Sequence, residues 1–364
     1  MYADGGSFAI TGGMSQTKDL TKAATASYNQ LIYENVTALN QNKDATVKYL
    51  FGGAGQVGKT KGNRIYVSDL NKDIADNITI QTILVGGGTW RPKSGGAEEN
   101  IAVVTGGSKI ANIYGGAVGL DGTAGTDESD GANWNLVILD LSDDGIVTEN
   151  VYGGYISDGT RKTSAGDTIP ATDATSQNNA VYVLGGEVAG SIVGGNKENT
   201  GNTLILGKDK DHLGIITAGQ ISNFSTLQFN AINDTDAVLT LTDSANGADL
   251  DGVEIKFLDK GISDGAVEVV VGGNGGIGVN EKRDSGGGAN AITGLTKNTI
   301  KYSANLDEIS VVASGAEAKN DIVEELKRTD GSEQASYGIG DTFNYTYETI
   351  DLTKPNKKIL SNQI

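Results

Sequence analysis

Residues 100–116 read NIAVVTGGSKIANIYGG: an asparagine, a short apolar run, a glycine-rich turn, a second short run and a closing glycine pair. The same order returns in residues 135–154 (NLVILDLSDDGIVTENVYGG) and 179–195 (NAVYVLGGEVAGSIVGG). A looser fourth copy covers 202–219 (NTLILGKDKDHLGIITAG), where Ala218 stands for the first glycine of the pair. From the asparagine to the first closing glycine the spacing is 15, 18 and 15 residues in the three clear copies. From the last glycine to the next asparagine it is 19 (Gly116 to Asn135), 25 (Gly154 to Asn179) and 7 (Gly195 to Asn202). A near-constant module thus alternates with a variable insert, as in stacked solenoid repeats whose inserts leave as loops on one side.

The residue types fit stacking. Glycine takes positive φ or admits a close backbone where a coil turns, and asparagine tolerates the left-handed region and bonds to its own kind in adjacent coils. Asparagine also precedes the apolar runs NRIYV at Asn63 and NTIKYS at Asn298. Within the runs, Val47, Tyr49 and Phe51 alternate at period two, as do Val253, Ile255 and Phe257, and Val267, Val269 and Val271. Each run is short and bounded by Gly, Asn or Asp, which is strand and turn chemistry. The expectation is an all-β chain of parallel coils.

Composition agrees. Of 364 residues 53 are Gly, 3 Pro and none Cys, without the every-third-residue glycine of collagen. Hydrophobic residues make up 37% and aromatics 6%, which suits a long thin core. The net charge of −18 repels phosphate backbones and anionic lipid heads, so no nucleic-acid partner is expected. Absence of Cys excludes a disulfide framework, Cys-ligated zinc and thiol catalysis. No apolar run approaches the roughly 20 residues of a membrane helix, and the start, MYADGGSFAITGG, lacks a signal-peptide pattern. With the polar end KPNKKILSNQI, this suggests a piece of a longer exported precursor.

The organisation expected is irregular N-terminal coils or a cap over 1–46, a coiled region over 47–314 with inserts near 117–134 and 155–178, and a C-terminal region over 315–364. Residues 316–329 (AEAKNDIVEELKRT) place Ile322, Val323 and Leu326 on one helical face, so a short helix is expected there, before capping strands.

The glycine-pair strand repeat, together with GNTLILGKDKDHLGIITAGQISNFSTLQFN followed by VLTLTD, resembles the passenger region of bacterial autotransporter (type V secretion) proteins. The resemblance covers roughly residues 52–314, and its motifs are degenerate. It implies a right-handed parallel β-helix displayed at the outer membrane by a C-terminal barrel, and the hand agrees with the crossover preference. Strands for such a barrel are lacking here, so membrane attachment would come only through a barrel outside this chain. The resemblance carries no catalytic residues.

Chemical motifs are few. Residues 53–60 (GAGQVGKT) match the phosphate-loop pattern, but Gly62 and Asn63 follow where a helix should open, so a turn between coils is the better reading. His212 is the sole histidine and sits in KDKDHLG with no nucleophile motif nearby. Acidic oxygens suit calcium, and Asp127, Glu128 and Asp130 form one candidate cluster, Asp243, Asp249 and Asp251 another. Neither has EF-hand spacing, and solvated acidic loops explain both, so no cofactor is expected. Tyr114, Tyr152, Tyr155 and Tyr182 form a candidate stacking stripe for sugars or proteins, against the plainer reading of strand tyrosines at half-wet positions. Asp158, Arg161 and Lys162 join Tyr114, Tyr152 and Tyr155 as contact-loop candidates.

Two functional expectations follow. The first is a non-enzymatic passenger at the bacterial surface, acting in adhesion, self-association or as a display stalk. Its partner would be a host or bacterial surface protein, a glycan or itself. The second is a polysaccharide hydrolase or lyase with carboxylates converging in a lateral groove.

Overall fold

The computed structural model describes residues 2–4, 7–15, 25–39, 43–55, 58–90, 96–120, 131–157, 161–162, 168–169, 174–197, 200–207, 215–232, 238–243, 248–249, 253–260, 266–271, 277–278, 298–303, 308–313 and 322–326. These residues are all-β. Most of them form parallel sheets that curl almost closed around a shared apolar interior, while Ala266–Val271, Asn298–Ser303, Glu308–Ala313 and Ile322–Leu326 pair antiparallel in chain order.

One face is built from Gln30–Glu34, Arg64–Ser68, Ile101–Gly106, Leu136–Leu141, residues 180–185, Thr203–Leu206, Thr226–Ile232 and Glu254–Lys260, each parallel to the next. A second face runs through Ser7–Thr11, Tyr49–Gly55, Ile83–Thr89, Asn112–Val118, Val151–Ile156 and residues 192–195. A narrow corner of two-residue strands, Ala26–Ser27, Thr60–Lys61, Ala97–Glu98 and Ala132–Asn133, leads from the second face back to the first. Alternation sends every second side chain inward. Leu84, Ile113, Val151 and Ile192 form one interior column and Val67, Val104, Leu139 and Val183 another, all 0–1% exposed. The first face is buried on its other side too, where Ile101, Ile138, Tyr182 and Ile205 are 0–1% exposed. Doubly buried parallel strands read as unbroken apolar runs, and IAVV, LVIL and VYVL are such runs.

The repeated asparagines form a ladder through Asn29, Asn63, Asn100, Asn135, Asn179 and Asn202, buried from Asn63 onward. Each donates its backbone N–H and its Nδ2 to the Oδ1 of the next, at 2.9–3.2 Å. Successive steps are 34, 37, 35, 44 and 23 residues, so turns of very different length share one register. The remaining Nδ2 hydrogens of Asn63 and Asn135 go to the carbonyls of Ala26 and Ala97 at 2.8 and 2.9 Å.

The glycine pairs exist for this ladder. A Cβ on Gly53, Gly87 or Gly116 would lie 2.2–2.4 Å from the side chain of Asn63, Asn100 or Asn135. A Cβ on the first glycine of each pair would meet a carbonyl of the adjacent turn, 2.4 Å away for Gly52 and 2.6 Å for Gly115. The close of one repeat therefore touches the start of the next.

Several expectations are corrected. The fourth copy is shifted: Ser222 pairs with Val193, so Asn223 and Phe224, not Ala218 and Gly219, follow in the places of Gly194 and Gly195. Ala218 instead pairs with Val188. Phe224 is 4% exposed and fills the interior there, and the ladder ends as Ser225 Oγ donates to the Asn202 carbonyl. No helix is present among the described residues. Ile322–Leu326, expected within the short helix, is a strand antiparallel to Glu308–Ala313. Its β-branched Ile322 and Val323 suit an available sheet edge, and pairing overrides a weak helical pattern. Within 1–46, expected as irregular, Ser7–Thr11, Ala26–Ser27 and Gln30–Glu34 already stand in register with later turns. Of the phosphate-loop match, Gly53–Gly55 lies in the Tyr49–Gly55 strand and Thr60 in the Thr60–Lys61 strand, with Gly53 packed on Asn63 and no helix opening after Thr60.

Candidate functional site

The second face carries an outward aromatic row. Register places Tyr114 beside Tyr152 and Ala117 beside Tyr155. The three rings meet at centroid separations of 5.3, 4.9 and 5.2 Å. Two turns nearer the N-terminus, Tyr49, Phe51 and Trp90 form a similar trio at 4.9–5.8 Å, with Lys48 Nζ 5.2 Å from the Tyr49 ring. Burial, and then the neighbouring Tyr155 and Tyr152, push the Tyr114 phenol well above its ordinary range. Tyr114 is only 8% exposed, while Tyr152 and Tyr155 are half-buried. The rings are largely engaged with one another. Tyr182, grouped with them in the sequence, lies at 0% exposure on the other face and accepts a hydrogen bond from Asn230 Nδ2 at 2.9 Å.

Of the other sequence candidates, Arg161–Lys162 is a short strand antiparallel to Thr168–Ile169, a hairpin within the 155–178 insert. Asp158, Asp127, Glu128, Asp130, His212 and Asp251 lie outside the described residues. Among the described residues no three His, Cys, Asp or Glu side chains are grouped to hold a metal.

A second outward feature escaped the sequence reading. The residue before each ladder asparagine turns the corner in the left-handed region: Tyr28 (φ 56°), Gly62 (64°), Glu99 (56°), Trp134 (59°), Asn178 (56°) and Gly201 (67°). The backbone N–H of each of the first four bonds to a carbonyl one turn on: Tyr28 to Lys61, Gly62 to Glu98, Glu99 to Asn133 and Trp134 to Gln177. Gly62, Asn178 and Gly201 suit this conformation; Tyr, Glu and Trp do not. Tyr28 and Trp134 are nevertheless 43% and 40% exposed. The Tyr28 ring lies on the next turn, since a Cβ on Gly62 would meet its Cε1 at 2.6 Å.

Beside this column runs a polar strip. Lys61 Nζ pairs with Glu99 at 2.8 Å, and Lys59 with Glu98. The hydrogen bond that Lys61 donates to Glu99 is the main cause holding the Lys61 ammonium above its ordinary range, against partial burial. Asn133 bonds through Nδ2 to Thr175 Oγ1 at 3.0 Å and accepts the Gln177 N–H at 2.8 Å. The signal was present in the sequence as the identity of the residue before each asparagine. It becomes readable only once the ladder fixes where the corners fall.

Comparison with protein-family models, characterised proteins and solved structures finds no match to this chain.

Proposed function

We propose that this chain is a non-enzymatic, surface-displayed β-solenoid of the autotransporter passenger kind. It is coiled as a right-handed parallel β-helix and works in adhesion, self-association or display at the bacterial surface. The observation that carries the reading is the asparagine ladder, which keeps one register across steps of 23 to 44 residues. Such a spine makes a stiff rod of turns about 4.8 Å apart, from which inserts project at fixed points. The acidic balance of 46 Asp and Glu against 28 Lys and Arg keeps such rods apart from anionic surfaces.

The test has two arms. Cells of the source bacterium are treated with a protease that cannot enter them, and the intact chain is followed with an antibody; loss of the chain is expected, and full protection overturns surface display. Purified chain is incubated with a panel of polysaccharides. Release of reducing or unsaturated ends would overturn the non-enzymatic reading in favour of a hydrolase or lyase.

A further inference from the structure

At the left-handed corner the fold holds bulky side chains in a strained backbone conformation and leaves them partly exposed. A bulky residue held in the left-handed region costs on the order of 1–3 kcal/mol, and this chain itself uses Gly or Asn at three of the six equivalent positions. Tyr28 and Trp134 keep large aromatic rings there and leave them about two-fifths exposed. They stand three turns apart in one column, about 14 Å at the usual strand spacing. Gly62 and Glu99 lie between them, and the Lys61–Glu99 pair and Asn133 line the strip alongside.

Exposed aromatic faces offer an apolar platform, while carboxylate, ammonium and amide groups exchange hydrogen bonds with hydroxyls. That combination matches a sugar, whose ring has an apolar face and a polar rim. From this arrangement we infer that the Tyr28–Trp134 corner is a binding strip for a neutral oligosaccharide laid along the rod. One sugar ring sits on Trp134 and another on Tyr28, with the hydroxyls between them meeting Lys61, Glu99 and Asn133. The excess of negative charge disfavours an acidic glycan. The inference rests on the adhesive reading above and names a ligand class for it.

Only two tryptophans occur, and Trp90 packs against Tyr49 and Phe51. In a Trp90→Phe protein the emission therefore reports on Trp134 alone. This protein is titrated with cellohexaose, xylohexaose, maltohexaose and chitohexaose, and binding is checked by calorimetry. The expected result is a saturable shift of Trp134 emission with at least one of the four. Calorimetric binding should be lost in Trp134→Asn and weakened at least tenfold in Tyr28→Asn. Asparagine suits the left-handed corner, so both variants should keep or raise the melting temperature, and loss of binding cannot then be traced to unfolding. No response to any of the four sugars, or equal affinity in Trp134→Asn, overturns the inference. Undiminished attachment of Trp134→Asn protein to cells also overturns it, while leaving the adhesive role standing.

Discussion

Replacing Asn135 by alanine tests whether the ladder is what holds the turns in register. Its Oδ1 accepts the N–H and Nδ2 of Asn100 at 3.0 and 3.1 Å, and its Nδ2 donates to Asn179 Oδ1 and the Ala97 carbonyl at 3.1 and 2.9 Å. Truncation leaves the Asn100 N–H and one of its two Nδ2 hydrogens buried and unpaired, the Nδ2 keeping only a 3.3 Å bond to the Thr60 carbonyl, since Asn100 is 0% and Asn135 1% exposed. Each orphaned buried donor costs about 1–3 kcal/mol, so the loss should be about 2–6 kcal/mol. Asn29→Ala is the control at the ladder's half-buried end: it removes one donor to Asn63 Oδ1, which still receives the residue 29 backbone N–H at 3.0 Å. No buried donor is orphaned, and the cost should stay near about 1 kcal/mol. Urea unfolding followed by circular dichroism, with the slope unchanged, gives both values. Equal midpoint shifts for the two variants would refute the ladder's role, because they would mean that the buried asparagines contribute no more than a solvated turn residue.

Three further outcomes follow. Gly116→Ala, whose Cβ would sit 2.4 Å from Asn135, should fail to fold or lose more than about 2 kcal/mol in a urea melt, whereas Gly55→Ala, with nothing nearer than 3.4 Å, should be neutral or stabilising by up to about 1 kcal/mol. The Thr89 hydroxyl is fully buried with no partner among the described residues, and Val118 holds the same position one turn on, so Thr89→Val should raise the melting temperature. The raised Tyr114 phenol favours the folded state fully below the ordinary value of about 10; above it the unfolded chain ionises first, so stability should fall as pH rises past that point, and Tyr114→Phe should flatten the fall in melts at pH 9–11.5.

The repeat made the strand class and much of the register legible. An asparagine and a glycine pair are locally unusual, and each has a physical need for the other across the turn. The copy at 202–219 misled because an Ala-Gly pair resembles a Gly-Gly pair in sequence; only the pairing of Ser222 with Val193 shows that Phe224 holds the place. Ile322–Leu326 misled because five residues with Ile, Val and Leu fit either period, and a neighbouring strand edge decides between them. The tyrosines were visible, but not which were consumed by packing: Tyr182 lies in an unbroken apolar run, whose doubly buried nature a period-two pattern hides. Tyr28 and Trp134 went unread because backbone hand at a corner leaves little trace in side-chain chemistry unless Gly or Asn marks it.

The contact between each glycine pair and the following asparagine has a consequence for how this chain can vary. Gly116 packs on Asn135, and the Ala132–Asn133 corner pairs with Ala97–Glu98, so the register is set on both sides of the insert without help from its length. Loop-closure entropy grows only with the logarithm of length, about 0.6 kcal/mol for each doubling. The step from 23 to 44 residues between ladder positions is close to one doubling. Length at these gates is thus thermodynamically almost neutral, and foreign segments grafted between Leu120 and Gly131, beyond the Asn112–Val118 and Ala132–Asn133 strands, should leave the rod's melting profile nearly unmoved.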